Sequence, residues 1–431
     1  MIFVIYMNRY LLLFITILFV SCSSTQKVDL RKINLTDTNI TFQNWTFNDF
    51  STAFKSLHPK EAYSLATTET QKTASQALEY IIQNKYENAA KTFVNAMREN
   101  DSLEELWKYF PLLYYSMNVN RNLVKLEECY ETIRNSATDN PFAFYRNKPQ
   151  FDMEFVEDSV VISIELKYGY PLIKIEINGK YYYFVFDTGC SRTLIGKNIA
   201  TENNVVCDNK KLIASTVDGA VNVFSSIFPD FNLGSIKISN FPTVTIDRDY
   251  AINAKFLFIS LFRVDGIIGW DLLQNFDFTI DYKNKQLVLR KPIEKNTEQR
   301  NLFWYYMPIV KFYHNGYPLL FVLDTGSNIT SFNELSISSI LGIDTNNLEK
   351  RTRKIYGING MIKSHEYKYP DFQCYTIVDN EVTLLSVNIA LLQNMEGYNI
   401  PINVDGVLGS DWFKDKAVRF DITNGIFQIS E

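Results

Sequence analysis

The stretch PLIKIEINGKYYYFVFDTG, residues 171–189, is matched 137 residues later by PIVKFYHNGYPLLFVLDTG, residues 308–326. Both stretches end in Asp-Thr-Gly, and the leading proline and the central Asn-Gly pair coincide at the same step. A fixed step between matching units is the signature of an internal duplication. The sequence therefore predicts two related units, each with an aspartate at the end of an apolar strand.

The duplication continues beyond these stretches. VDGIIGWD at 264–271 is answered by VDGVLGSD at 404–411, and FTIDYKNKQLVLR from Phe278 by VRFDITNGIFQIS from Val418, now at a step of 140 residues. The small change in step indicates a short net insertion. Each copy is about 130 residues long, close to the most common domain size. We predict a first lobe over residues 159–295 and a second over 296–431.

With these motifs, the region from about Val160 to Glu431 resembles the pepsin and retropepsin group of aspartic peptidases. In that group each lobe supplies a strand ending in Asp-Thr-Gly, a flap hairpin, and an apolar-apolar-Gly strand behind the catalytic turn. All three occur in order in both copies. The resemblance implies a mostly β, bilobal fold with a cleft between the lobes. Because helical patterns precede it, we predict an α+β multidomain chain.

The resemblance also implies the site residues. Asp187 and Asp324 are the expected catalytic pair. The residues expected to support the pair are Thr188, Gly189, Thr325, Gly326 and Ser327. In particular, the resemblance implies that the two threonines hydrogen-bond across the lobe interface, and we expect the glycines to give a sharp turn. The candidates for flap or substrate contact are Asp218, Gly219, Tyr356 and Gly357.

Two carboxylates within hydrogen-bonding distance cannot both ionise easily, so such a pair shares one proton over a range of pH. The ionised partner can take a proton from a water, and the protonated partner can donate to the scissile carbonyl oxygen. This chemistry predicts an aspartic endopeptidase that needs no metal and no cofactor. The alternative is a peptide-binding or scaffold lipoprotein with a protease-like fold and little turnover.

The two copies differ directly after the triplet, where the second has Ser327 and the first has Cys190. A serine here is expected to hydrogen-bond the catalytic carboxylate and to favour its charged form, and a thiol is a weaker donor. One hypothesis is therefore a pair less acidic than that of pepsin, active from mildly acidic to near-neutral pH. The alternative is that Cys190 only packs behind the turn.

Four further acids recur in the repeat, and we interpret them as structural. Asp271 and Asp411 follow the apolar-apolar-Gly elements and are expected to bond local backbone. Asp281 and Asp421 each end an apolar strand before DYKNK or DITNG. Aspartates in that position usually stabilise turns.

The composition of the chain limits which classes of binding partner are expected. The net charge is −5 and no basic cluster occurs, so nucleic-acid binding is not expected. The three histidines are scattered without metal-ligand spacing. The expected partner is a peptide or protein substrate. Since both aspartates belong to one chain, the protease unit should be complete as a monomer.

Residues 1–21 are predicted to be a secretory signal, because Arg9 precedes the apolar run Tyr10–Val20. The run ends at Ser21-Cys22-Ser23, which resembles a bacterial lipobox. We expect lipidation of Cys22, a tether over 22–45, and an exported protein that is lipid-anchored to a bacterial membrane and faces the periplasm or the cell surface. Ordinary signal cleavage is the alternative.

Residues 46–136 carry a helical pattern, followed by a predicted linker at 137–158. In ALEYIIQNKYENAAKTFVNAMREND, from Ala77, the residues that share one helical face are Tyr86, Ala89, Ala90, Phe93 and Ala96 or Met97. The helix-break-helix rhythm resembles a tetratricopeptide unit, with Asn84 in place of the usual Gly. Either a short tetratricopeptide-like domain or a plain helical bundle fits. It could bind a partner peptide or act as a spacer packed on the protease.

Overall fold

The computed structural model describes residues 47–99, 105–106, 109, 143–216, 219–256, 259–295, 300–305, 307–314, 317–333, 345–356, 361–378, 381–393 and 403–430. Over these residues the chain is mostly β, with its longer helices in the N-terminal region. The predicted signal, Cys22 and the tether lie outside the described residues. Within the described ranges, no helix combines the length and apolarity needed to cross a membrane.

The helices are α1 (Phe50–Lys55), α2 (Pro59–Leu65), α3 (Glu69–Ile82), α4 (Tyr86–Glu99), α5 (Lys197–Glu202), α6 (Trp270–Leu273) and α7 (Ser410–Phe413). The strands up to the end of the first lobe are β1 (Asp152–Phe155), β2 (Ser159–Ser163), β3 (Glu165–Lys167), β4 (Tyr170–Ile177), β5 (Lys180–Phe186), β6 (Leu194–Ile195), β7 (Cys207–Thr216), β8 (Gly219–Ile227), β9 (Phe231–Leu233), β10 (Ile236–Ser239), β11 (Pro242–Ile246), β12 (Ile252–Phe256), β13 (Ile259–Val264), β14 (Gly266–Ile268), β15 (Asp277–Asp281) and β16 (Gln286–Arg290).

The strands of the second lobe are β17 (Leu302–Tyr305), β18 (Met307–His314), β19 (Tyr317–Asp324), β20 (Ser331–Asn333), β21 (Lys350–Tyr356), β22 (Met361–Val378), β23 (Glu381–Gln393), β24 (Gly406–Gly409), β25 (Ala417–Asp421) and β26 (Ile426–Ser430).

Each lobe is built around one eight-stranded sheet, and the two sheets have the same strand order. The first runs β3-β4-β5-β14-β6-β11-β8-β7 and the second β17-β18-β19-β24-β20-β23-β22-β21. In both, the strand that leads into Asp-Thr-Gly pairs in parallel with the apolar-apolar-Gly strand, β5 with β14 and β19 with β24. The repeat in the sequence is therefore a repeat of topology.

Matching hydrogen bonds accompany the matching topology. Asp265, just before β14, accepts a bond of 2.8 Å from the backbone N–H of Tyr183. Asp405, just before β24, accepts the corresponding bond of 2.7 Å from the N–H of Leu320. Each carboxylate satisfies a backbone donor in the strand that leads to the triplet.

The turn aspartates behave as predicted. Asp281 accepts from the backbone N–H of Asn284 at 2.7 Å, and Asp421 accepts from that of Asn424 at 3.2 Å. In each turn the asparagine side chain also donates to the same aspartate. The turn prediction for these two aspartates is confirmed.

A separate five-stranded sheet, β2-β16-β15-β25-β26, joins the lobes. Its central pairing is antiparallel, between β15 of the first copy and β25 of the second, with Phe278 opposite Phe420. Their rings stack with centroids 4.5 Å apart, and both side chains are fully buried. This pair ties the two copies together beneath the strands that carry the triplets.

The predicted linker at 137–158 contains regular structure in its described part. Residues Ala143–Tyr145 form a 3-10 turn, and the Tyr145 hydroxyl donates to the Thr243 carbonyl at 3.1 Å. Strand β1 then pairs with β10 of the first lobe. The stretch is thus attached to that lobe along much of its length.

The N-terminal helices pack on the sheet of the second lobe. Helix α3 starts after Thr68, whose hydroxyl caps the Gln71 N–H, and α4 buries Ala89, Ala90, Phe93 and Met97 as its periodicity predicts. One apolar cluster joins the helices to the lobe, and its main members are Leu57, Ala74, Ala77, Leu78, Ile81, Ala89, Phe303, Tyr305, Met307, Ile309, Val322, Val404 and Val407. The tetratricopeptide-like assignment remains a prediction.

We expect Phe278→Ala to lower the free energy of unfolding by about 3–5 kcal/mol, the usual cost of removing a buried aromatic ring. Urea unfolding measures this. Val161→Ala on β2 of the same sheet is the matched control, because Val161 is 58% exposed and surface changes cost about 0.5 kcal/mol or less. Equal effects of the two variants would show that the stacked pair does not hold the lobes together.

Candidate active site

The two Asp-Thr-Gly triplets meet where the strands of the two lobes end. Asp187 follows β5, and its backbone N–H donates to the Ile268 carbonyl at 3.0 Å. Asp324 ends β19, in register with Gly409 of β24. Each aspartate is therefore fixed by the parallel strand beside it, and the pairing brings one aspartate from each copy to the lobe interface.

The threonines of the triplets lock the two loops to each other. The Thr188 N–H donates to the Thr325 hydroxyl at 3.0 Å, and the Thr325 N–H donates to the Thr188 hydroxyl at 3.0 Å. Each hydroxyl in turn donates to a carbonyl of the opposite lobe, that of Leu323 at 2.6 Å and that of Phe186 at 2.7 Å. Both threonines are fully buried, so all four bonds are shielded from water.

The glycines are required for close approach. A side chain at Gly189 would collide with the carboxyl group of Asp324, and one at Gly326 would collide with that of Asp187. Neither glycine has a left-handed backbone. The expected reason for these glycines, an unusual backbone angle, is therefore wrong. They are needed because they leave space for the carboxyl group of the other lobe.

The carboxyl groups of Asp187 and Asp324 lie close enough to interact directly, each against the backbone of the opposite triplet. One oxygen of Asp187 also accepts from the N–H groups of Gly189 at 2.8 Å and Cys190 at 3.1 Å. Asp324 is held in the same way by the N–H groups at the corresponding positions, Gly326 and Ser327. Two carboxyl groups at such close range cannot both ionise easily, so the geometry favours a pair that shares one proton.

Burial, together with the charge and the hydrogen bond of Asp324, raises the pKa of Asp187 well above its ordinary value. Burial also raises the pKa of Asp324, to about 6, although the hydrogen bond from Asp187 lowers it. The protonation of each carboxyl group thus depends on that of the other. Because the two groups interact strongly, their titration belongs to the pair.

A second network holds the loop behind each triplet. In the first lobe, the buried carboxylate of Asp271 accepts from the N–H and the hydroxyl of Thr193, both at 2.7 Å. The Thr193 hydroxyl accepts from the Gly269 N–H at 3.0 Å. The expectation of local backbone bonding is confirmed, since the Leu272 N–H also donates to Asp271 and the Trp412 N–H donates to Asp411 at 3.0 Å. It was incomplete, because the threonine partner of Asp271 lies 78 residues earlier.

The second lobe repeats this network. Asp411 accepts from the N–H of Thr330 at 2.9 Å and from its hydroxyl at 2.7 Å, and the Gly409 N–H donates to that hydroxyl at 3.0 Å. We did not single out Thr193 or Thr330 in the sequence. They match at the 137-residue step, so extending the alignment past the triplets would have found them.

Ser327 does not act as expected. Its hydroxyl donates to the Ile329 carbonyl at 2.8 Å, and the Cys190 thiol donates likewise to the Arg192 carbonyl at 3.0 Å. The idea that the serine hydroxyl supports the carboxylate is therefore wrong, and the carboxylate of Asp324 is held by the Ser327 backbone N–H instead. Cys190 and Ser327 thus have equivalent local roles.

The flap candidates lie on hairpins. Strands β7 and β8 form one, with Thr216 opposite Gly219, and β21 and β22 form the other, with Tyr356 opposite Met361. Asp218 and Gly357 lie outside the described residues, as does the side chain of Tyr356. Substrate contact by these four residues stays a prediction.

One tyrosine near the pair was missed from the sequence. Burial and the charges of Asp324 and Asp187 raise the pKa of Tyr170 to about 12. Beside it, the hairpin tip of the first lobe contacts the second, since Asn328 donates to the Tyr168 carbonyl at 3.0 Å. Tyr170 lies 17 residues before Asp187, and no spacing rule singles it out. Among the described residues, no group of three or more metal-ligating side chains lies together.

The aspartyl protease family model matches the chain twice. The matched regions are residues 173–272 and 310–412, one in each copy, which is consistent with duplicated lobes. Each match spans a triplet and the apolar-apolar-Gly element behind it. The two matches indicate peptidase activity in general. No curated protein matches the chain.

The buried pair should make stability depend on pH. Because the folded-state pKa values are raised above about 3.9, the native state holds protons that the unfolded state releases, and the unfolding free energy falls as pH rises through the folded-state values. Asp187→Asn removes one of these groups. We expect its free energy of unfolding, measured by urea unfolding, to rise relative to that of the wild type between pH 4 and pH 8 by about 1.4 kcal/mol for each raised pKa unit. Unfolding free energies that run parallel over this range would refute the assignment.

Cys190→Ser should leave the pH profile of any activity close to that of the wild type. The thiol donates to the Arg192 carbonyl, so a hydroxyl there gains the same partner and does not reach the carboxylate. A pH-rate profile of both proteins is the measurement. An acidic limb displaced by about one pKa unit or more would mean that residue 190 tunes the pair directly.

Proposed function

We propose that the chain is an aspartic endopeptidase that hydrolyses peptide bonds with a water activated by Asp187 and Asp324. The observation that carries this proposal is the close carboxyl pair, formed by one aspartate from each copy at the ends of matching strands. The two family matches support it from an independent direction.

The chemistry follows from one proton on the pair. Ionised Asp324 takes a proton from a water, and the water oxygen adds to the carbonyl carbon of the substrate. Protonated Asp187 donates its proton to the carbonyl oxygen at the same time. Collapse of the tetrahedral intermediate then breaks the C–N bond: the amine nitrogen takes the proton that came from the water, and one hydroxyl of the intermediate returns a proton to the other carboxylate. The water enters the products, and the pair ends with its single proton.

The raised pKa values place this activity above the range of a strongly acidic pair. Below the lower pKa of the pair both carboxyl groups are protonated, and the general base is lost. Since burial raises both values, we expect the acidic limb of activity at a higher pH than that of a strongly acidic pair such as pepsin's. The same pair, matched in both lobes, is complete in one chain, which supports a monomeric enzyme.

The decisive test compares Asp187→Asn and Asp324→Asn with the wild type on a mixed peptide library from pH 3 to 8. We expect either variant to lower the cleavage rate at least about a hundredfold, because each removes one member of the acid-base pair.

Asp281→Asn is the matched control, since Asp281 only holds a turn outside the site, and it should cleave at the wild-type rate. Wild-type peptide binding without cleavage, unaffected by Asp187→Asn, would favour the alternative of a peptide-binding protein. Cleavage that survives both variants would exclude the pair as the catalyst.

We also propose that the protein is exported and anchored by a lipid on Cys22, a proposal supported by the apolar run before Ser21-Cys22-Ser23. Labelling of cells with a palmitate analogue should mark the wild type and not Cys22→Ala. Equal labelling of both proteins would exclude the anchor.

A further inference from the structure

The break between helices α3 and α4 is seated on strand β17. Asn84 has a left-handed backbone with φ 57°, and its side-chain amide donates to the Leu302 carbonyl at 2.8 Å. The Tyr86 hydroxyl donates to the Asn84 side-chain oxygen at 2.8 Å and accepts from the Trp304 N–H at 2.8 Å. These bonds satisfy two backbone groups of β17 from outside the sheet.

The second lobe is shaped to receive this break. Gly425, in the turn between β25 and β26, leaves the space that the Asn84 amide fills, and a side chain there would collide with it. At the other end of the helices, the Asn403 N–H donates to the Lys55 carbonyl at 2.7 Å. The helices are thus held by polar contacts at both ends and by the apolar cluster between them.

Aromatic rings carry the contact further inward. The Tyr86 ring stacks on that of Trp304, with centroids 3.7 Å apart. Trp304 meets Trp270 edge to face at 6.2 Å, which crosses from the second lobe to the first. Aromatic pairs in such arrangements contribute about 0.5–1.5 kcal/mol beyond the area they bury. Tyr86 therefore limits where Trp304, and through it Trp270, can lie.

Trp270 is bonded directly to the loop of the first triplet. Its backbone N–H donates to the Cys190 carbonyl at 2.6 Å. The next residue, Asp271, holds the same loop through Thr193 and lies 3.2 Å from the Arg192 guanidinium. The start of α6 and the loop from Asp187 to Thr193 are consequently joined by hydrogen bonds at several points.

The aromatic contact is specific to the first lobe. The second lobe has Ser410 where the first has Trp270, although the Ser410 N–H makes the same bond to the Ser327 carbonyl at 2.7 Å. At these matching positions, the first loop is thus bonded to a residue with a large ring and the second to a serine, and the ring is reached from the N-terminal helices.

We propose that Tyr86 is a positioning residue of the active centre: through Trp304 and Trp270, the N-terminal helices fix the loop that carries Asp187. The consequence for the reaction rests on the proposed peptidase function, whereas the effect on the loop does not. Loosening the loop would misplace one carboxyl group of the pair. Misplacement of a catalytic group by about 1 Å can slow a reaction on the order of a hundredfold.

The test uses three variants of the full chain. Tyr86→Ala removes the ring and the hydroxyl, whereas Tyr86→Phe keeps the ring and serves as the rescue. Tyr63→Ala is the matched control, because Tyr63 lies on α2 of the same helical segment and is 42% exposed. Circular dichroism and thermal melting first establish that each variant is folded.

The first readout needs no activity. Iodoacetamide labelling of Cys190, followed by peptide mass spectrometry, reports the order of the loop, because Cys190 is half-buried and burial raises the pKa of its thiol. Cys374, buried in the second lobe, is the internal reference for global loosening. We expect Tyr86→Ala to speed labelling of Cys190 about tenfold, which corresponds to about 1.4 kcal/mol of lost loop stability. Labelling of Cys374 should stay unchanged.

The second readout is cleavage of a peptide substrate. We expect Tyr86→Ala to lower kcat about tenfold or more with KM within about twofold, since the chemical step suffers more than binding. Tyr86→Phe and Tyr63→Ala should stay close to the wild type in both readouts.

A folded Tyr86→Ala protein with wild-type labelling of Cys190 overturns the proposal. So does labelling of Cys374 that rises in the same proportion, because the loss is then global. A wild type that cleaves no peptide removes the peptidase function, and the labelling experiment still decides whether Tyr86 positions the loop.

Discussion

The reciprocal bonding of Thr188 and Thr325 is the constraint on which the site depends. Each threonine offers its N–H to the hydroxyl of the other and its own hydroxyl to a carbonyl across the interface. Four bonds in a fully buried interface leave the two loops one relative position. The glycines that follow then place each carboxyl group against the backbone of the opposite triplet. Burial, which raises the pKa of both carboxyl groups, is a product of the same close approach.

The same set of supporting contacts surrounds this interface in both lobes. A parallel strand fixes each aspartate, and a threonine bonded to a distant carboxylate ties that strand to the loop. The five-stranded sheet shared by the lobes connects the two copies. These supports fix the positions of two aspartate side chains that come from separate sheets. Such preorganisation is what acid-base chemistry requires.

The parts of this arrangement that could be predicted from the sequence are those marked by short motifs present in both copies. The triplets, the apolar-apolar-Gly elements and the turn aspartates are short local patterns, and the structure has matching elements at each of them. The role of the Ser327 hydroxyl was mistaken, and the threonine partner of Asp271 was missed, because the fold determines the partner of a hydrogen bond and Thr193 is 78 residues from Asp271. The reason for Gly189 was mistaken likewise, since the atom that excludes a side chain belongs to the other copy. The seating of Asn84 and Tyr86 on β17 could not be read from a helical pattern, which gives the buried face but not what covers it.

The position shared by Trp270 and Ser410 shows what it means to have both lobes in one chain. In a symmetric homodimer, both Asp-Thr-Gly loops have the same neighbours, so any contact that supports one loop also supports the other. Two lobes in one chain are not bound by this symmetry. Here the first loop rests on an indole ring that extends to a helical segment with no counterpart in the repeat, and the second loop has a hydroxyl in the same place. Substitutions that are silent in one copy can therefore be damaging at the matching position of the other, and the two halves of the chain are free to diverge everywhere except where they meet.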